Sequence, residues 1–245
     1  MNRSFMLVPL LWLVLGCTAQ PDSNGALPEA VVTDTQPPVV PASFTGDLPC
    51  ADCRALRYQL SLFADGAFFL RQTYLGKPPP NEFDDIGSWA WPGDGQVLLL
   101  RGGREAPVMF GRGAGDTLQL LDLNGRAIDS ELNYALRRDA VFSRLEPRLN
   151  MRGMFTYMAD APAFTECLTG QRWPVAQRGN YLELERAYLD TIETPGQPLL
   201  ATVEGEVRLE RGMEGDQLLP TLSVLRFGGV WPGTSCGRRA AAEAP

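Results

Sequence analysis

The chain has 245 residues, no histidine, and 22 Lys and Arg against 29 Asp and Glu, a net charge of −7. No basic cluster exceeds Arg137-Arg138 or Arg238-Arg239, so a phosphate-tracking surface is missing and nucleic acid is excluded as a partner. The lack of His removes His-based nucleophile triads, imidazole general bases and the commonest zinc ligand together.

The N-terminal stretch "MNRSFMLVPLLWLVLGC" carries one positive charge at Arg3, an apolar run from Phe5 to Leu15, then Gly16-Cys17. This is the pattern of an export signal. The run is shorter than the roughly 20 apolar residues of a bilayer span, and Pro9 interrupts it. Leu-Val-Leu-Gly-Cys resembles the lipobox of bacterial lipoproteins, which makes Cys17 the expected lipidated first residue of the mature chain; ordinary signal cleavage nearby is the alternative. Acyl chains contribute about 0.8 kcal/mol per buried methylene, enough in combination for a firm anchor. Thr18 follows the Cys where an Asp would favour inner-membrane retention, so the expected address is the outer membrane. Residues 18–41 hold Pro21, Pro28, Pro37, Pro38 and Pro41 without apolar periodicity and read as a disordered tether. As a flexible coil it would reach roughly 25–30 Å.

The next motif, "GDLPCADC", sets Cys50 and Cys53 three residues apart. Removing Cys17 from five cysteines leaves Cys50, Cys53, Cys167 and Cys236, an even set that reads as two disulfides in an oxidising compartment. Three pairings are formally possible; locality favours Cys50 with Cys53 and Cys167 with Cys236. The thiol pair Cys50 and Cys53 admits several readings. Thioredoxin-like exchange needs a helix after the motif, whereas Cys53 runs into a period-2 strand pattern. A structural zinc site needs four ligands, and a second CxxC or His pair is missing. Cu(I) accepts soft thiolates at low coordination number, so copper is the one metal the pair suits, with no cofactor obligatory. The plainest reading is a small disulfide clipping a barrel mouth. Closing four residues stabilises by about 2 kcal/mol and closing the Cys167–Cys236 loop by about 4–5 kcal/mol, which makes the short bridge the labile one.

After the motif, "RALRYQLSLF" alternates Leu56, Tyr58, Leu60 and Leu62 with polar partners, and "ADG" turns it into "AFFLRQTYL", a hairpin. Short strands follow in "IGSWAW", "QVLLLRG", "APVMFGR", "TLQLLDL" and "LNYALRR", and "GRGAGD" between two of them is a hairpin turn and not a phosphate loop. Trp89 and Trp91 of "GSWAW" share a strand face and either line a ligand cavity or fill a barrel. Asp84-Asp85, and Glu183 with Glu185, are paired acids read as solvated, so no catalytic residue is assigned.

A second unit begins near Arg148. Strands are expected in "RGMFTYMA", "AFTECL" and "QRWPVA", with Met154 and Met158 as core positions of the first. "NYLELERAYLDTI" then shows Leu182, Leu184, Ala187, Tyr188 and Ile192 at helical spacing, and "PLLATVEGEVRLE" and "LLPTLSVLRFGGVW" close the unit. Five strands with a helix between the third and fourth is the order of an OB barrel.

Lipobox Cys17, "GDLPCADC", "TYLG", "GSWAW", "RGMFTYMADAPAFTEC", "ERAYL" and the late Cys236 together resemble the NlpE family of envelope lipoproteins, associated with copper homeostasis and with surface sensing through the Cpx stress pathway. The resemblance spans nearly the whole mature chain. It implies an all-β chain with one short helix: a signal peptide over 1–17, the tether over 18–41, a lipocalin-like barrel over 42–140 and an OB barrel over 148–238. It implies signalling and not catalysis, with the lipoprotein sorting machinery and a CpxA-type sensor kinase as partners. One departure is visible: the family commonly has Gly two residues after the second thiol, where this chain has Ala55. A lipocalin-like carrier of a small apolar ligand and a thiol oxidoreductase are the alternatives.

Overall fold

The computed structural model describes residues 39–212 and 217–237. Cys17, Thr18 and the tether up to Pro38 lie outside the described residues.

Eight antiparallel strands form the first barrel: β1 (Ala42–Leu48), β2 (Ala55–Leu62), β3 (Ala67–Leu75), β4 (Glu82–Ala90), β5 (Val97–Arg101), β6 (Val108–Arg112), β7 (Thr117–Leu120) and β8 (Ala135–Arg138). Each pairs with the next and β8 returns to β1, closing the sheet. The β2–β3 hairpin turns through Asp65-Gly66, where Gly66 takes φ 80°, a left-handed conformation that favours glycine. "GRGAGD" is the β6–β7 turn, with the Gly113 amide bonded to the Thr117 carbonyl at 2.9 Å. Strand β1 lacked an alternating pattern and was not anticipated. Ala55 opens β2 and is absent from the residues of positive φ, so the departure from the family's glycine carries no strain.

Period-2 alternation sends Phe44, Tyr58, Leu60, Leu62, Phe68, Leu70, Leu98, Leu100, Phe110, Leu118 and Leu136 into one buried cluster that fills the lumen. The opposite face of β3 is buried as well. Phe69, wholly buried, meets Phe63 at 4.8 Å and Trp173 of the second barrel at 6.3 Å, both edge to face.

The second barrel comprises β9 (Arg148–Thr156), β10 (Ala163–Glu166), β11 (Arg172–Pro174), α1 (Tyr181–Thr191), β12 (Leu199–Arg211) and β13 (Leu218–Trp231). Sheet order is β11-β10-β9-β12-β13, and a parallel bridge from Val175 to Leu222 joins the outer strands, the OB arrangement. Gly205 lies at a register shift between β12 and β13, where a Cβ would stand 2.5 Å from Leu222 Cδ1. Helix α1 buries Tyr181, Leu184 and Tyr188, and Tyr188 meets Phe155 at 5.2 Å. Leu182, anticipated on the buried face, is 56% exposed, because the packed stripe runs one residue out of phase through Tyr181. Met158 is likewise 60% exposed, since β9 ends at Thr156; Met151 is the buried methionine of that strand.

The two barrels share a core. Phe63, Ala67, Phe69 and Ile86 of the first pack with Leu145 of the connection and with Phe155, Phe164, Trp173 and Leu184 of the second. The connection is strapped to the first barrel. Ser61 Oγ donates to the Ser143 carbonyl at 2.9 Å and accepts from the Leu145 amide at 3.1 Å, while Ser43 Oγ accepts from the Ser143 amide at 3.0 Å. Arg71 holds Asp84 with two bonds of 2.8 Å and donates to the Glu146 carbonyl at 2.9 Å; Asp84 also accepts from the Arg148 amide at 2.7 Å. The Asp84-Asp85 pair is therefore not solvated, contrary to the reading of adjacent acids as a polar turn. On a strand adjacent residues face opposite sides, so Asp84 turns outward to Arg71 and Asp85 inward to Arg104.

Candidate functional site

The loop of residues 49–54, between β1 and β2, carries Cys50 and Cys53 at the same end of the barrel as the β3–β4 turn. Strand β1 ends at Leu48, before Pro49, which has no amide to continue a ladder. The Arg54 amide then bonds the Leu75 carbonyl at 2.9 Å and starts β2. Cys50 and Cys53 are joined as a disulfide with Cα atoms 5.4 Å apart. No helix follows, because β2 begins at Ala55, so a helix N-terminus that would depress a thiol pKa is missing here. Asp52 lies between them, its carboxylate paired with Lys77 Nζ at 3.0 Å, and one donor atom from each of Cys50, Asp52 and Cys53 falls within 4.8 Å of the others. Of these donors the two thiolates, once the bridge is reduced, suit a soft ion of low coordination number, whereas the Asp52 carboxylate is a hard donor already paired with Lys77. Asp52 and Lys77 escaped sequence reasoning. Asp52 was visible inside the motif, but Lys77 arrives from another turn.

Trp89 and Trp91 sit at the opposite end of the barrel, half-buried against the lumen cluster. Trp89 Nε1 donates to the Phe63 carbonyl at 3.0 Å, and the Arg112 guanidinium lies 4.6 Å over the Trp91 ring. Trp91 falls just beyond the end of β4. Both indoles close the barrel floor, and a carrier of an apolar ligand would need the room that Leu60, Leu70, Leu100 and Phe110 occupy.

The second disulfide joins Cys167, in the turn after β10, to Cys236, beyond β13, with Cα atoms 5.3 Å apart. Its turn is held by Glu166, 1% exposed, whose carboxylate accepts from the Leu168 amide (2.9 Å), the Thr169 amide (2.6 Å) and Thr169 Oγ1 (2.7 Å). The bridge lines a cleft of about 450 Å³ between the barrels, whose other wall includes Ile86, Ser88 and Arg101. Of the paired acids on α1, Glu183 is exposed and Glu185 half-buried, and neither joins a cluster of metal-binding donors among the described residues.

Residues 44–131 match the family model described as the NlpE N-terminal domain, and residues 145–237 match the NlpE C-terminal OB domain. The lipoprotein NlpE of Escherichia coli K12 is 34% identical over 232 residues, covering 94% of each chain. This chain belongs to the NlpE family. Among solved NlpE-like structures, the Cpx pathway activator NlpE from Escherichia coli is 35% identical, covers 80% of this chain and 98% of that one, and superposes with a TM-score of 0.36. A lipoprotein from Shewanella oneidensis is 30% identical over 41% of this chain and 90% of its own, with a TM-score of 0.35. Membership in NlpE rests on the end-to-end sequence match. With it stand the all-β class, the closed eight-stranded barrel and the OB barrel as the architecture of this NlpE-family chain.

Proposed function

We propose that this NlpE-family chain is an outer-membrane lipoprotein, anchored through Cys17, that reports envelope stress to a CpxA-type sensor kinase and contributes to copper tolerance through Cys50 and Cys53. Surface contact, faulty lipoprotein sorting and faulty oxidative folding are the stresses it reads. The carrying observation is the 34% identity to the Escherichia coli lipoprotein NlpE across 94% of both chains. A solved relative is described as the activator of the Cpx pathway, which supports a role by protein contact without an enzymatic step.

The copper arm follows from the donors at the barrel mouth. Reducing the Cys50–Cys53 bridge takes two electrons and two protons from two external thiols, which leave joined as a disulfide; binding Cu(I) then releases the protons of the Cys50 and Cys53 thiols. Anaerobic titration of the reduced full chain with Cu(I) should show one tightly held ion that is lost in Cys50→Ser/Cys53→Ser. Equal uptake by both proteins rejects the copper arm. The signalling arm has its own test. Thr18→Asp should shift the protein to the inner-membrane fraction and raise a Cpx reporter, and relocation without a change in the reporter rejects contact with the kinase.

A further inference from the structure

Beneath the rim of the first barrel lies a polar collar in an otherwise apolar lumen. Asp85, Gln72 and Tyr58 are 7%, 5% and 6% exposed and face inward, Tyr58 directly paired with Gln72 across β2 and β3. Burial raises the Tyr58 pKa, against the opposing pull of Arg104 and Gln72, so the phenol stays neutral and its oxygen can accept. A carboxylate withdrawn from water must be paired. Asp85 takes the Gly103 amide at 2.9 Å and Arg104 Nε at 3.2 Å, while the same guanidinium also donates to Gln72 Oε1. Above the collar the rings of Tyr74 and Phe83 stand edge to face at 5.7 Å, with Phe83 half exposed.

The acceptors belong to the barrel wall, but the cation does not. Arg104 comes from the loop of residues 102–107 between β5 and β6, behind Gly102-Gly103, and its side chain is 39% exposed. That loop lies directly on the carboxylate: a Cβ at Gly102 would stand 2.5 Å from both Asp85 oxygens. A preformed set of a carboxylate, an amide oxygen and a phenol under an aromatic rim is thus filled by a guanidinium from the β5–β6 loop.

We infer that this collar is a binding site for a cationic head group, guanidinium or primary ammonium on a short apolar stem, and that Arg104 is its built-in plug. The chemistry is that of a charge-assisted bond to Asp85 with the stem leaving across Tyr74 and Phe83. The filled lumen below limits the ligand to its head group, which separates this site from a lipid carrier. Ligand and Arg104 exclude each other, so binding releases the loop beside the thiol end of the barrel.

The test uses the full chain in non-ionic detergent with n-butylguanidinium as probe and n-butylurea as its neutral counterpart, read by calorimetry. Arg104→Ala should bind n-butylguanidinium at least about tenfold more tightly than the wild type, since no plug competes for the charge-assisted site. n-Butylurea should not bind, and adding Asp85→Asn should abolish the gain. Equal binding of both probes, no gain in Arg104→Ala, or retention in the double variant overturns the proposal. In the wild type, n-butylguanidinium should also speed amide hydrogen exchange across residues 102–107. Exchange unmoved by the probe overturns it even where the substituted proteins fail to fold.

Discussion

Phe69→Ala should lower the stability of the full chain by about 3–5 kcal/mol, and the loss should register in both barrels at once. Phe69 belongs to the first barrel but is wholly buried beneath the second, against Phe63 and Trp173. Truncation removes an aromatic ring from the centre of the shared core, and the surrounding strands cannot collapse to refill it, being held by their ladders on both sides. At about 2–4 °C per kcal/mol for a chain of this size, the midpoint should fall by roughly 6–20 °C. Single-tryptophan variants separate the regions, with Trp89 reporting on the first barrel and Trp231 of β13 on the second, since Trp173 touches Phe69 itself. Coincident transitions are expected. A second-barrel signal that melts unchanged while the first barrel loosens would show that the shared core does not couple them.

What the sequence could disclose follows from the range of the signals involved. The β2–β3 hairpin was legible because period-2 alternation and an Asp-Gly turn are local, and the OB order was legible because one helical period stands between strand periods. Strand β1 was not, since Gly46 interrupts its pattern. That glycine is there for a distant reason: a Cβ would meet the Ala135 carbonyl of the closing strand at 2.4 Å. "AFFLRQTYL" was legible as a hairpin strand, but not that Phe69 on its second face is covered by the other barrel, because a run of apolar residues names no partner. The same limit applies at the mouth. Cys50 and Cys53 declare themselves by spacing, whereas Lys77 and Arg104 reach Asp52 and Asp85 from other loops through barrel register, which no local pattern encodes. The Asp84-Asp85 dipeptide was misread for a related reason, since burial of each acid depends on an arginine elsewhere in the chain.

Cys236→Ser should destabilise the full chain by about 4 kcal/mol, while Cys50→Ser should cost no more than about 2 kcal/mol. The bridges differ in the chain they close: 69 residues of separation for Cys167–Cys236 against 3 for Cys50–Cys53, and the entropy removed from the unfolded state grows with that length. The long bridge is also the one placed to matter in the native state. It ties the segment after β13 to a turn locked by buried Glu166, alongside the cleft that Ile86 and Arg101 line from the first barrel. Without it, residues 232–237 lose their covalent hold and the edge of the OB barrel frays toward the shared core. A loss of this size is a large part of the 5–15 kcal/mol typical of a folded domain, so a fraction of molecules would present an open second barrel under growth conditions. If that opening is what the sensor kinase reads, Cys167→Ser and Cys236→Ser should raise a Cpx reporter more than Cys50→Ser does. Thermal melts and non-reducing peptide mapping of the full chain decide the physical part. A midpoint unmoved by Cys236→Ser, or a mapped Cys50–Cys167 cross-link, would mean that the long bridge does not hold the second barrel together.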